Sequence, residues 1–141
     1  MKWVTWQDVG VDRIACAWLI RKYIDRDAEF VFIPEGSNKL PQGAEPFDIP
    51  GQKLSHHGGH CSFYAMLREH KLNDPILKKM ALIIDEADTI QEVTLEPAAA
   101  GLDLICRGVR VDSDDDMLAL ERGAIVYDAL YAALKEEAEL R

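Results

Sequence analysis

The sequence predicts an α/β fold: a small, partly parallel sheet of about three strands in the N-terminal half, packed by helices, with an all-helical C-terminal half. Two observations lead there. Strand-like and helix-like stretches alternate between Lys2 and Ile33, the beginning of an α/β layer. Beyond Cys61 the apolar residues recur at helical spacing.

Taken in order, Lys2 to Trp6 alternates β-branched and aromatic residues and reads as a short strand. From Asp12 to Ile24, Cys16, Leu19, Ile20, Tyr23 and Ile24 fall at the spacing of a buried helical stripe, with Asp12 in the N-cap position. Glu29 to Ile33 is a second strand, ended by Pro34. Glu35 to Glu45 is loop, and Phe47-Asp48-Ile49 before the Pro50-Gly51 turn is a third strand. Cys61 to His70 is an amphipathic helix, and Pro75 opens another that runs to about Ile90 with Leu77, Ala81, Ile84 and Ala87 buried. A helix spans Pro97 to Cys106. Ser113 and Asp116 resemble a capping box for a short helix ending at Gly123, and Ala124 to Leu140 forms a last helix.

At 141 residues, 48% apolar and 29% charged, the chain has the size and balance of one domain, 1–141, able to bury a core without staples. Its first residues carry no signal or transit pattern, and no stretch reaches the roughly 20 apolar residues of a membrane span, so a cytoplasmic location is expected. Cys16, Cys61 and Cys106 are odd in number and far apart, which favours reduced thiols over a disulfide framework. A net charge of −9 repels phosphate backbones and anionic lipid; no direct nucleic-acid partner and no membrane partner is expected.

The chemistry concentrates in His56-His57-Gly58-Gly59-His60-Cys61, which holds three of the four histidines. Imidazole suits borderline divalent metals, and open metal sites mix it with carboxylates. Neighbouring side chains on an extended segment point to opposite faces, so all four cannot serve one ion. Asp48, at a strand end, and Asp12, at a helix start, are the carboxylates expected to join, because strand ends and helix starts share one crevice in an open α/β sheet. The ordinary alternatives are a solvated histidine loop and an Asp12 that only caps its helix, a contribution of about 1 kcal/mol. Asp112, Asp114, Asp115 and Asp116 do not make a calcium loop, since the sixth position from Asp112 is Met117 where glycine is needed. Asp85, Glu86 and Asp88 are expected to be solvated, with Asp88 facing the site as the alternative. Trp3, Trp6 and Trp18 read as core. Cys61, at a helix N-terminus beside histidines, is the thiol expected to have a lowered pKa. Gly58-Gly59 lacks the context of a phosphate loop.

The runs Val11-Asp12-Arg13-Ile14-Ala15-Cys16-Ala17-Trp18-Leu19-Ile20-Arg21, Pro46-Phe47-Asp48-Ile49-Pro50-Gly51, His56-His57-Gly58-Gly59-His60-Cys61-Ser62-Phe63, Glu121-Arg122-Gly123 and Tyr127-Asp128-Ala129-Leu130-Tyr131 resemble the C-terminal domain of the chromate-resistance ChrB family over nearly the whole chain. That resemblance implies a role in resistance to, or sensing of, chromate beside an efflux transporter, without the N-terminal regulatory region of longer members. A weaker similarity, to the DHH-type metal-dependent phosphoesterases, places Asp12, Asp48, His56 and His57 on metal-binding positions. Ser55 stands where that family has an aspartate, two residues are inserted before Ser62, and upstream histidines are absent, which points to one metal rather than a bridged pair.

The resulting expectation is a metal- or oxyanion-responsive module with one divalent cofactor (Zn, Mn or Fe) on Asp12, Asp48 and the His56/His57 pair. Its partners are a metal ion or a small oxyanion, with a homodimer as the assembly in view. The alternative is a metal-dependent hydrolase of phosphate esters with His60 as catalytic acid or base. Third is a chromate reductase acting through Cys61, which lacks a second cysteine nearby to resolve an oxidised intermediate.

Overall fold

β1 (Lys2–Trp6) is the middle strand of a three-stranded parallel sheet of order β2-β1-β3. The protein is described by a computed structural model over residues 1–89 and 93–141. β2 (Glu29–Ile33) pairs with β1 in the register Lys2 to Glu29 through Trp6 to Ile33, and α1 (Val11–Leu19) is the crossover between them. β3 (Ala44–Pro46) adds to the other side of β1, with Lys2 opposite Ala44 and Val4 opposite Pro46.

The first two strands keep the bounds read from sequence; the third lies earlier than Phe47–Ile49. Phe47 still donates its N–H to Val4 O at 3.0 Å, but Asp48 turns to φ 51°, left-handed backbone that ends any strand. Arg13 is the cause within reach: its Nη2 donates to the Asp48 carbonyl at 3.0 Å and holds the turned peptide.

α1 is sheathed on every side. Val11, Ile14, Ala15, Cys16, Ala17, Trp18 and Leu19 are all buried, the helix packing on α2 (Ser62–Glu69), α3 (Pro75–Asp88), α4 (Ala99–Val111) and α5 (Asp116–Glu139). Full burial of each large member, such as Ile14 or Leu19, contributes about 1.5–3 kcal/mol. The helix does not continue in α geometry to Ile24; from Ile20 to Ile24 it widens into a π-helical turn.

α2 and α3 start where expected, α3 with Pro75 in its first turn and Asp74 accepting the Ile76 N–H at 2.8 Å. Ile90, the expected end of that helix, lies outside the described residues, α3 being described to Asp88. α4 begins two residues after Pro97 and runs past Cys106 to Val111.

α5 corrects the reading of two helices parted at Gly123. It is one helix of 24 residues, and Gly123 is buried in it where it crosses α1. A Cβ at Gly123 would sit 2.2 Å from Ile14 Cγ2, so this glycine permits close approach and stops nothing. The cap is Asp115, which accepts the Leu118 N–H at 2.8 Å, while Ser113 Oγ donates back to Val109 O. Asp116 accepts the Asp8 and Val9 N–H groups, tying the start of α5 to the segment before α1. Among the described residues no helix is long and apolar enough to cross a membrane.

Candidate metal centre

α2 begins with Cys61 at its N-cap, a side chain that offers its N–H groups no cap hydrogen bond. Those groups are orphans of any helix start and need acceptors once buried. Carboxylates from two other helices supply them. Asp12, on the first turn of α1 and 2% exposed, accepts the Ser62 N–H on Oδ2 at 2.8 Å and the Phe63 N–H on Oδ1 at 3.0 Å. Asp85 of α3 accepts the Cys61 N–H at 2.6 Å. Asp12 therefore caps α2 across 50 residues of sequence, and its own helix has Gly10 at the N-cap with no side-chain bond.

Asp48, carried beside this helix start by its left-handed turn, accepts the Ser62 hydroxyl on Oδ1 at 2.6 Å. Arg13 Nε lies 3.1 Å from Asp48 Oδ2; its buried N–H is not aligned for a hydrogen bond, so the contact is one of charge. Burial and then the neighbouring Asp12 charge push the Asp48 carboxyl up to about 7, against the pull of Arg13 and Ser62.

His56 enters from the loop above. Its Nε2 stands 2.8 Å from Asp88 Oδ2, 3.1 Å from Asp12 Oδ2 and 3.8 Å from Asp48 Oδ1. The hydrogen bond to Asp12, aided by the charges of Asp12, Asp88 and Asp48 and opposed by burial, raises this imidazole to about 9. Asp88, at the end of α3, is raised to about 6 by burial and by Asp12. One donor atom from each of Asp12, Asp48 and His56 lies within 4.8 Å of the others. Asp48 and His56 line a cleft of about 480 Å³ whose walls include Trp6, Arg13, Glu35 and Asp88.

His57 is turned away from this group. Its Nε2 faces the carbonyls of Lys53 at 2.8 Å and Gln52 at 3.1 Å, and its backbone pairs with His60 across Gly58-Gly59. The alternation of neighbouring side chains thus separates the pair. His60 holds Asp85 Oδ2 through Nδ1 at 2.9 Å and stacks on Tyr64 with ring centroids 3.9 Å apart, and it is not one of the donors gathered at Asp12.

Two expectations are corrected. Asp85 is not solvated; it joins the His60 turn to the start of α2. Cys61 is no activated thiol: it is fully buried, its Sγ facing Ala81 O at 4.0 Å, and burial together with the Asp12 and Asp85 charges pushes its pKa far up. The helix N–H groups that would have favoured a thiolate are already spent on carboxylates. Ser62 was not foreseen in the site, and Asp88 only as an alternative; the i, i+3 spacing of Asp85 and Asp88 was the available signal for α3.

Residues 3–134 match the family model described as ChrB, C-terminal domain. The chain belongs to the ChrB C-terminal domain family. The matched span includes Asp12, Asp48, His56 and Asp88. Among curated proteins, Protein ChrB of Cupriavidus metallidurans is 34% identical over 131 residues, which is 92% of this chain and 40% of that protein. The chain thus spans about two fifths of the length of this ChrB relative. No solved structure matches it.

Proposed function

We propose that this domain serves chromate resistance as a divalent-metal-responsive module, with Asp12, Asp48 and His56 as the metal ligands and Asp88 as a further oxygen at the mouth. The carrying observation is the convergence of two buried carboxylates and one imidazole within 4.8 Å. The surroundings favour positive charge there: His56 Nε2 lies 2.8 Å from Asp88, 3.1 Å from Asp12 and 3.8 Å from Asp48. A divalent ion with mixed nitrogen and oxygen ligands, zinc, manganese or iron, fits that donor set better than calcium or magnesium, which prefer oxygen alone.

The donors come from α1, the segment after β3, the histidine loop and the end of α3, so exchange of a proton for a metal would alter how four parts of the chain are held. That is the physical basis for a response. A bound ion beside Arg13 would also give a protein of net charge −9 a local positive focus for an oxyanion such as chromate. The hydrolase reading is less well supported, because its intended acid or base, His60, is engaged with Asp85 and Tyr64.

The test is metal uptake by untagged protein, measured by elemental analysis after incubation with zinc, manganese or iron and gel filtration. About one ion per chain is expected in the wild type and in His57→Ala, and none in His56→Ala or Asp48→Asn. An unloaded wild type, or equal loss in His57→Ala, would overturn the assignment. Circular dichroism of each variant separates lost ligands from lost folding.

A further inference from the structure

α2, the turn that follows it and α3 enclose a cleft of about 610 Å³, larger than the one beside the metal centre and sharing no lining residue with it. Its apolar lining is Leu67, Leu72 and Leu82, joined by Tyr64, which is fixed by its stack on His60. Its charged lining is Arg68, Lys71 and Lys78, with no carboxylate among the described residues. Helical spacing puts these groups together: Tyr64, Leu67 and Arg68 share one face of α2 at i, i+3 and i+4, and Lys78 and Leu82 share one of α3 at i, i+4. In a chain with 25 acidic residues against 16 basic ones, three cations around an apolar hollow are a local reversal of charge.

The neighbouring acids are engaged elsewhere. Glu69 is held chiefly by Lys53 at 2.6 Å, with His70 and Lys71 as lesser influences, and Asp74 accepts the Ile76 N–H and the Tyr131 hydroxyl. Among the described residues Arg68, Lys71 and Lys78 have no ion pair of their own. Arg68 lies in the last turn of α2, where a cation complements the helix dipole, but Lys78 closes the first turn of α3, where a cation opposes it.

Lys71 is brought to the cleft by strained backbone. α2 ends in a Schellman turn, in which the Leu72 N–H donates to Leu67 O at 2.9 Å and the Lys71 N–H to Arg68 O at 3.2 Å. The left-handed position of that turn, φ 53°, is Lys71 itself, where glycine would fit without steric cost. Glycine would serve the turn better, so the lysine side chain answers to something other than the fold.

From this we infer that the cleft between α2 and α3 binds a small organic anion with an apolar body, of the class of medium-chain or aromatic carboxylates. Leu67, Leu72, Leu82 and Tyr64 cover the body, and Arg68, Lys71 and Lys78 surround the charged head. The volume is that of a pocket for one such molecule. A bare inorganic oxyanion would leave the apolar wall uncovered, and a neutral apolar molecule would leave the three cations unanswered.

The test uses the full chain and the fluorescent probe anilinonaphthalene sulfonate, an aromatic anion, with octanoate and octylammonium as competitors. The wild type should bind one probe per chain, and octanoate should displace it while octylammonium should not. The double variant Arg68→Gln/Lys78→Gln should bind roughly tenfold more weakly, whereas Lys39→Gln/Lys135→Gln, of the same net charge but away from the cleft, should bind as the wild type does. Lys71→Gly relieves the left-handed backbone, so it should melt no lower than the wild type and still bind more weakly, a combination that a purely structural lysine would not give. Metal uptake should be the same in all of these variants. No probe binding by the wild type, equal displacement by octylammonium, or equal affinity in the wild type and Arg68→Gln/Lys78→Gln would each overturn the proposal.

Discussion

Asp12 has a structural duty that holds with or without a metal: both of its oxygens accept N–H groups of α2. Removing the carboxylate leaves two buried donors without acceptors, each costing about 1–3 kcal/mol. Asp12→Ala is therefore expected to destabilise the metal-free protein by about 2–4 kcal/mol in urea unfolding, while Asp88→Ala, at a side chain about one quarter exposed, should stay within about 0.5 kcal/mol. His56 sets a pH dependence of opposite kind. Its folded pKa, about 9, lies above the ordinary histidine value, so its contribution to metal-free stability is complete below about pH 6.5 and disappears as pH rises through 9. Because the side chain is nearly half exposed, solvent screening limits this to about 1–2 kcal/mol, readable in melts between pH 6.5 and 9.5. Asp48 and Asp88, also raised, remove stability earlier, as pH climbs from about 4 through 6 to 7. Metal uptake should run the other way, strengthening over the same range as protons leave the ligands. The sequence made Asp12, Asp48 and His56 visible by residue type and position. It could not disclose the duty of Asp12, since a helix-start aspartate reads as the cap of its own helix, and here the helix it caps is 50 residues away.

At the scale of elements, β1, β2 and α2 were legible because the period-two and period-3.6 patterns that define them are local. The departures come from contacts between distant segments. β3 ends before Asp48 because Arg13, 35 residues away, holds the Asp48 carbonyl in a turned peptide. α5 runs through Gly123 because Ile14 occupies the space a side chain would need. Gly123→Ala puts that account to a direct test. Although alanine is the better helix former, overpacking against Ile14 should destabilise the protein by about 1–3 kcal/mol, and a gain in stability on chemical unfolding would show that the two helices can part freely.

For the whole molecule, the candidate ligands link the two halves that the sequence distinguishes, the sheet half through Asp12, Asp48 and His56 and the helical half through Asp88. An ion bound only by the native state stabilises all of it, by about 2.7 kcal/mol at a hundredfold excess over Kd. Zinc or manganese should accordingly raise the melting temperature of the wild type and leave that of Asp48→Asn unchanged. The same long-range economy governs synthesis. α1 carries Asp12, yet its surroundings are completed only by the last helix: the Tyr127 hydroxyl bonds the Val11 carbonyl across 116 residues, and Asp116 holds the Val9 N–H across 107. During translation the first helix emerges ahead of α2, α3, α4 and α5, and its burial is completed only with the last of them. Asp12, Asp48 and the histidine loop therefore leave the ribosome before α5 has closed over the first helix, and the nascent N-terminal half is the stage most exposed to aggregation.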